Sequence, residues 1–195
     1  MSPAGWVGAT TILVLLLAAN ATVRANTVFH NFIPGSLSYN LPFGPMADAF
    51  DVKPAIGFAL GYKFAANRHM RYGARGTWTQ MRLGTVDTAD YTEYSLTHVG
   101  ILANAQFRLN KHGWTPYIEG EAGMGLVFAS IDVAKVPQKV DDLSEVKISV
   151  GGLLGVLIPL GTKVDLDIAG RYQTTFLSQR FDTFGAHVGI VFALN

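Results

Sequence analysis

From residue 53 to residue 194 the chain keeps returning to one pattern, an alternation of apolar side chains with polar or small ones. The clearest stretch is KVDLDIAGRYQTTF, residues 163–176. One parity carries Lys163, Asp165, Asp167, Ala169, Arg171, Gln173 and Thr175; the other carries Val164, Leu166, Ile168, Gly170, Tyr172, Thr174 and Phe176. Successive side chains of a strand point to opposite faces, so such a segment has one charged face and one apolar face tipped with aromatics. A strand of roughly ten residues tilted by about 45° is long enough to cross a bilayer.

The pattern recurs at 53–64, 70–82, 94–109, 114–130, 146–158, 163–176 and 182–194. An earlier strand is expected near 35–43, where Ser36-Leu37-Ser38-Tyr39-Asn40-Leu41 alternates, and GPMADAFD (44–51) reads as a loop. The connections alternate in length as well. Those at 65–69, 110–113 and 159–162 are short, whereas 83–93 and 131–145 are longer and charged. An even number of strands joined alternately by short turns and longer loops is the organisation of an up-and-down outer-membrane barrel. The fold class predicted is all-β: an eight-stranded antiparallel up-and-down transmembrane barrel.

A soluble lipocalin-like binder would alternate too, with its apolar face inside. Three observations favour the inverse. Glycine and alanine share the charged face, as in Gly57, Ala59, Gly61, Gly73, Gly123 and Gly151, which suits a narrow interior. On a water-facing exterior glycine merely weakens a strand. The apolar face carries aromatics near the strand ends: Tyr62, Phe64, Tyr72, Phe107, Trp114 and Phe192 by the short turns, and Trp78, Phe128, Phe176 and Phe184 by the loops. These resemble the two interfacial girdles of membrane barrels. No Asp, Glu, Lys or Arg stands mid-strand on the apolar face, where a cation costs about 2–4 kcal/mol at the bilayer midplane.

Residues 1–25 are expected to be a signal peptide: ILVLLLAA (12–19) is too short to span as a helix, and Val23 and Ala25 supply small residues for cleavage before Asn26. The absence of Lys or Arg before the apolar run departs from the usual pattern. The barrel is then assigned to 26–195. These features together resemble the small outer-membrane barrels of the OmpA/OmpX/opacity-protein type. The ending from His187 to Leu194 is similar to the assembly signal of that class, with Asn195 added beyond it. The resemblance implies an architecture and a bacterial outer-membrane location. It does not imply one activity, since structural, adhesive and enzymatic proteins share the fold.

The inward face collects Arg71, Arg75, Glu119, Glu121, Asp165, Asp167 and Arg171, with His187 nearby. Eight strands leave an interior just filled by side chains, and buried ions need partners, so a salt-bridged plug is expected. Lys53 and Lys147 lie near the loop end, as groups that attract anions or are simply solvated. No catalytic residue, cofactor site or metal site is assigned: the chain has no cysteine, His69 and His112 fall in short turns, His98 and His187 point inward, and His30 precedes the strands. Balanced charge, 15 basic against 14 acidic residues, gives no reason to expect nucleic acid. The functional expectation is a structural or surface-interacting envelope protein, in contact with outer-membrane lipid and meeting an envelope or host-surface protein through loops 83–93 and 131–145. The alternatives are a narrow ion-conducting channel, an outer-leaflet lipid hydrolase or acyltransferase, and a secreted lipocalin-like binder.

Overall fold

The computed structural model describes residues 30–44, 47–48, 51–82, 92–110, 113–133, 143–176 and 180–194. Eight strands follow one another: β1 (Asn31–Phe43), β2 (Ala55–Ala65), β3 (Met70–Arg82), β4 (Thr92–Arg108), β5 (Thr115–Val133), β6 (Leu143–Pro159), β7 (Val164–Phe176) and β8 (Arg180–Leu194). Each pairs antiparallel with its sequence neighbours, and β1 pairs with β8 from Asn31↔Leu194 to Phe43↔Asp182, closing the barrel. The expected signal segment lies outside the described residues.

The alternation in the sequence is the reason for this closure. A strand with one ionic and one apolar face stays soluble in neither water nor lipid until its ionic face is enclosed, and full closure also removes unpaired edges. The shortest strand, β2, has 11 residues; at ~3.3 Å per residue and a tilt near 45° it rises about 25 Å, the height of an outer-membrane apolar band. Connections 66–69, 109–114 and 160–163 join the strands at one end, where β1 starts and β8 stops, and connections 44–54, 83–91, 134–142 and the short 177–179 join them at the other.

The first strand is longer than the 35–43 expected, because Asn31 to Pro34 pair fully with the end of β8. Pro34, which donates no backbone hydrogen bond, hides this stretch from a reading based on alternation. The loops 83–93 and 131–145 are correspondingly narrower than expected, since β4 starts at Thr92, β5 runs to Val133 and β6 starts at Leu143. These three strands form a wall. β6 runs five residues past Ile148, the last residue paired with β7, and β4 runs three past Ser95, the last paired with β3.

The exterior is apolar. Ile101, Leu154, Ile56, Val146, Ile148 and Leu37 are all more than half exposed, with Ile101 at 71%. The interior has three levels. Towards the turn end Phe32, Tyr117, Leu153, Leu157, Ala169 and Val191 form an apolar layer. Charged side chains fill the middle. At the loop end Ala47, Ala55, Met81 and Phe181 pack together with Val52 and Leu96. The inward leucines at 153 and 157 share the parity of Gly151 and Gly155, and both are buried.

Candidate functional site

The middle level of the interior is built around two glutamates of β5. Glu119 and Glu121 point inward, two residues apart, and register sets them opposite Gln106 and Asn104 of β4. Glu119 receives Lys63 Nζ on Oε2 at 2.5 Å, Arg75 Nη2 on Oε1 at 2.9 Å and Gln106 Nε2 on Oε2 at 3.2 Å. Glu121 lies 3.4 Å from Arg75 Nη1, and receives Arg171 Nε at 2.7 Å, with Arg171 Nη2 at 2.6 Å. Arg75 thus bridges the two carboxylates, and the chain Lys63–Glu119–Arg75–Glu121–Arg171 crosses the barrel from β2 to β7. All five side chains are buried.

A second group sits beside it. Tyr117 Oη donates to Asp167 Oδ1 at 2.6 Å, and His187 Nε2 lies 3.3 Å from Asp167 Oδ2. Of the residues expected in the plug, the structure joins Arg75, Glu119, Glu121 and Arg171 in one network and places Asp167 with Tyr117 and His187. Arg71 and Asp165 stand lower. Arg71 lays its guanidinium 3.7 Å from the centre of the Phe32 ring, and half-buried Asp165 is within electrostatic reach of Arg71 and Arg108.

Close approach explains the glycines on the ionic face. A Cβ on Gly123 would stand 2.0 Å from the Ile101 carbonyl oxygen, and one on Gly73 equally close to that of Tyr62. Those positions let the sheet coil tightly around side chains as long as Arg75 and Arg171. Above the network, a small cavity lined by Asn40, Thr79, His98, Gln173, Thr175 and Thr183 is roofed by Met81, Leu96 and Phe181.

Sequence reasoning missed Lys63 and Tyr117 as members of the interior network. Both have inward parity, at the turn-side ends of β2 and β5, so the signal was present, but their partners follow only from register across the barrel. It missed more completely a cluster on the outward face. Asp182 shares the parity of Phe184 and stands in register between Phe43 of β1 and Thr174 of β7. Its carboxylate receives Arg180 Nε at 2.9 and 2.7 Å, Tyr172 Oη at 3.0 Å, and lies 2.6 Å from Thr174 Oγ1. Lys53, considered as an anion attractor, pairs with Asp51 in solvent at 2.5 Å.

The ionised groups of the outward face decide the environment. Among the described strand side chains they stand only at the loop end, at Arg82, Arg180 and Asp182; below them the outer surface is uncharged. An apolar band around an ionic interior is the arrangement a bilayer requires, and it excludes the soluble lipocalin-like arrangement, whose faces are the other way round. No protein-family model and no curated protein matches the sequence. Solved structures match its shape. Neisserial surface protein A is 16% identical with a TM-score of 0.55, covering 87% of this chain and 99% of that one. Ail, the attachment invasion locus protein of Yersinia pestis, in complex with the heparin analogue sucrose octasulfate, is 21% identical with a TM-score of 0.51, covering 84% of this chain and 97% of that one.

The chain has the fold of the small eight-stranded outer-membrane barrels. The barrel belongs in a bacterial outer membrane. In such barrels the short turns face the periplasm and the longer loops the outside, which puts the end carrying 66–69, 109–114 and 160–163 on the periplasmic side.

Proposed function

We propose that this barrel works at the cell surface, through its projecting wall and outer loops, as a structural or partner-binding envelope protein. One observation carries the reading: side chains pack the interior at three levels and leave only a small cavity beneath the loop-end layer among the described residues, so a partner meets the barrel's rim and not an open lumen. The unequal strands support it, since β4, β5 and β6 lift their loop ends clear of the rest of the rim. Ail, a protein described by attachment and invasion and seen with a heparin analogue, carries the same fold, which supports a surface role at the level of architecture only.

We assign no catalytic residue. Lipid hydrolysis or acyl transfer at the outer leaflet needs an activated nucleophile facing lipid. The outward hydroxyl of Thr174 instead meets Asp182 and Tyr172, and neither neighbour is an imidazole.

The test is cell binding by bacteria displaying the intact barrel, and by bacteria displaying a barrel with 83–91 and 134–142 cut to glycine-serine turns. Binding that exceeds that of non-displaying cells and disappears on trimming, with heat-dependent gel mobility intact, is the expected result. Equal binding by displaying and non-displaying cells, across host-cell and envelope-protein targets, would contradict the reading.

A further inference from the structure

The outward cluster at the loop end of β7, β8 and β1 presents a fixed cation at the lipid headgroup level. Asp182 is a carboxylate on the lipid side of the barrel, yet it is buried, because Thr174, Tyr172 and Arg180 supply its hydrogen bonds from the same face. Arg180 is the outermost member and its side chain is 61% exposed. Its Nε is spent on Asp182, and one hydrogen of Nη2 is spent on Tyr172 Oη at 2.8 Å. A guanidinium has five N–H donors, so three remain beyond these two bonds, on a side chain that is mostly open to its surroundings.

The surroundings set what those donors meet. Phe43 packs against Tyr172 with ring centres 6.1 Å apart. Phe176 and Phe184 are exposed on the same face. Aromatic rings of this kind sit at the boundary between acyl chains and headgroups. The carboxylate neutralises the arginine overall but is covered by it, so the exposed surface of the cluster is cationic. Held at two points, the planar fork loses little freedom on binding a second anion, and forked donors match phosphate oxygens.

The geometry points to Arg180 as a docking group for the phosphate of an outer-leaflet lipid that bears a phosphomonoester. The acyl chains of that lipid lie along the outer surface below Phe43, Tyr172 and Phe184. The inference rests on the barrel's seat in the outer membrane and not on its surface-binding role, so the two fail separately.

The probe is dioleoylphosphatidic acid, titrated onto the detergent-solubilised full barrel and read as bound adducts by native mass spectrometry. Wild type is expected to retain phosphatidic acid at least tenfold more tightly than dioleoylglycerol, which lacks the phosphate. Arg180→Gln should remove most of that preference, Arg180→Lys should restore only part, and Lys163→Gln at the periplasmic end should leave it unchanged. Heat-dependent gel mobility verifies that each variant is folded. Equal retention of the two lipids by wild type, an unchanged preference in Arg180→Gln, or an equal loss in Lys163→Gln would overturn the inference. So would displacement of the lipid by millimolar inorganic phosphate, which would identify a free-anion site instead.

Discussion

Arg75 of β3 and Glu119 of β5 meet inside the barrel at 2.9 Å, and neither reaches solvent. On the same carboxylate Lys63 of β2 lies at 2.5 Å. Two cations share one buried anion, and a second anion, Glu121, shares Arg75 in turn. Breaking such a network from one side leaves charges with no water to receive them.

Glu119→Gln should therefore cost about 3–5 kcal/mol, measured as the urea unfolding midpoint of the barrel refolded in vesicles. Adding Lys63→Met should recover part of that loss, because it removes one of the orphaned charges. A Glu119→Gln barrel as stable as wild type would mean that the carboxylate does not hold the interior together.

Ile168 points to lipid and Gln173 points inward, near the loop-end cavity. Arginine at Ile168 should destabilise by about 2–4 kcal/mol, and arginine at Gln173 should be milder. Equal tolerance in folding yield by gel mobility would show that the faces are reversed.

Gly120 and Gly123, three residues apart, lie on opposite faces of β5. A Cβ at Gly120 meets nothing within 4 Å, whereas one at Gly123 would stand 2.0 Å from a backbone oxygen. Gly120→Ala should stay within about 0.5 kcal/mol of wild type, and Gly123→Ala should cost about 1–3 kcal/mol, both read by urea titration. A costly Gly120→Ala with a neutral Gly123→Ala would contradict the assignment of inside and outside.

In planar bilayers the intact barrel should carry no steady current. Reproducible ion currents that change with Arg75→Ala or Glu121→Ala would show that ions pass through the network, and would replace the plug with a narrow channel.

Much of the fold was legible because strand period and membrane period coincide. In β3 and β7 the expected bounds fall within one residue of those observed, 70–82 and 163–176 against Met70–Arg82 and Val164–Phe176. The start of β1 was not legible, since Pro34 and Gly35 interrupt the alternation that its partner β8 nevertheless completes. For the interior, parity separated Arg75, Glu119, Glu121 and Arg171 from the lipid face, while depth, and so pairing, depended on register between strands distant in sequence. The Arg180–Asp182 cluster was hidden for a different reason. Arg180 falls before the expected strand 182–194 and Asp182 at its first residue, so the pair reads as charge at a strand end until Thr174 and Tyr172 are brought alongside by β7.

Trp78 and Trp114 test the inverted barrel most directly, since both are exposed on the outer face, near opposite ends. In a chain beginning at Asn26 they are the sole tryptophans. Refolded into vesicles whose acyl chains carry bromine, that chain should lose most of its tryptophan fluorescence, more with bromines near the headgroups than at the bilayer centre. Fluorescence indifferent to bromination, from a protein that stays in solution without detergent, would contradict the membrane barrel.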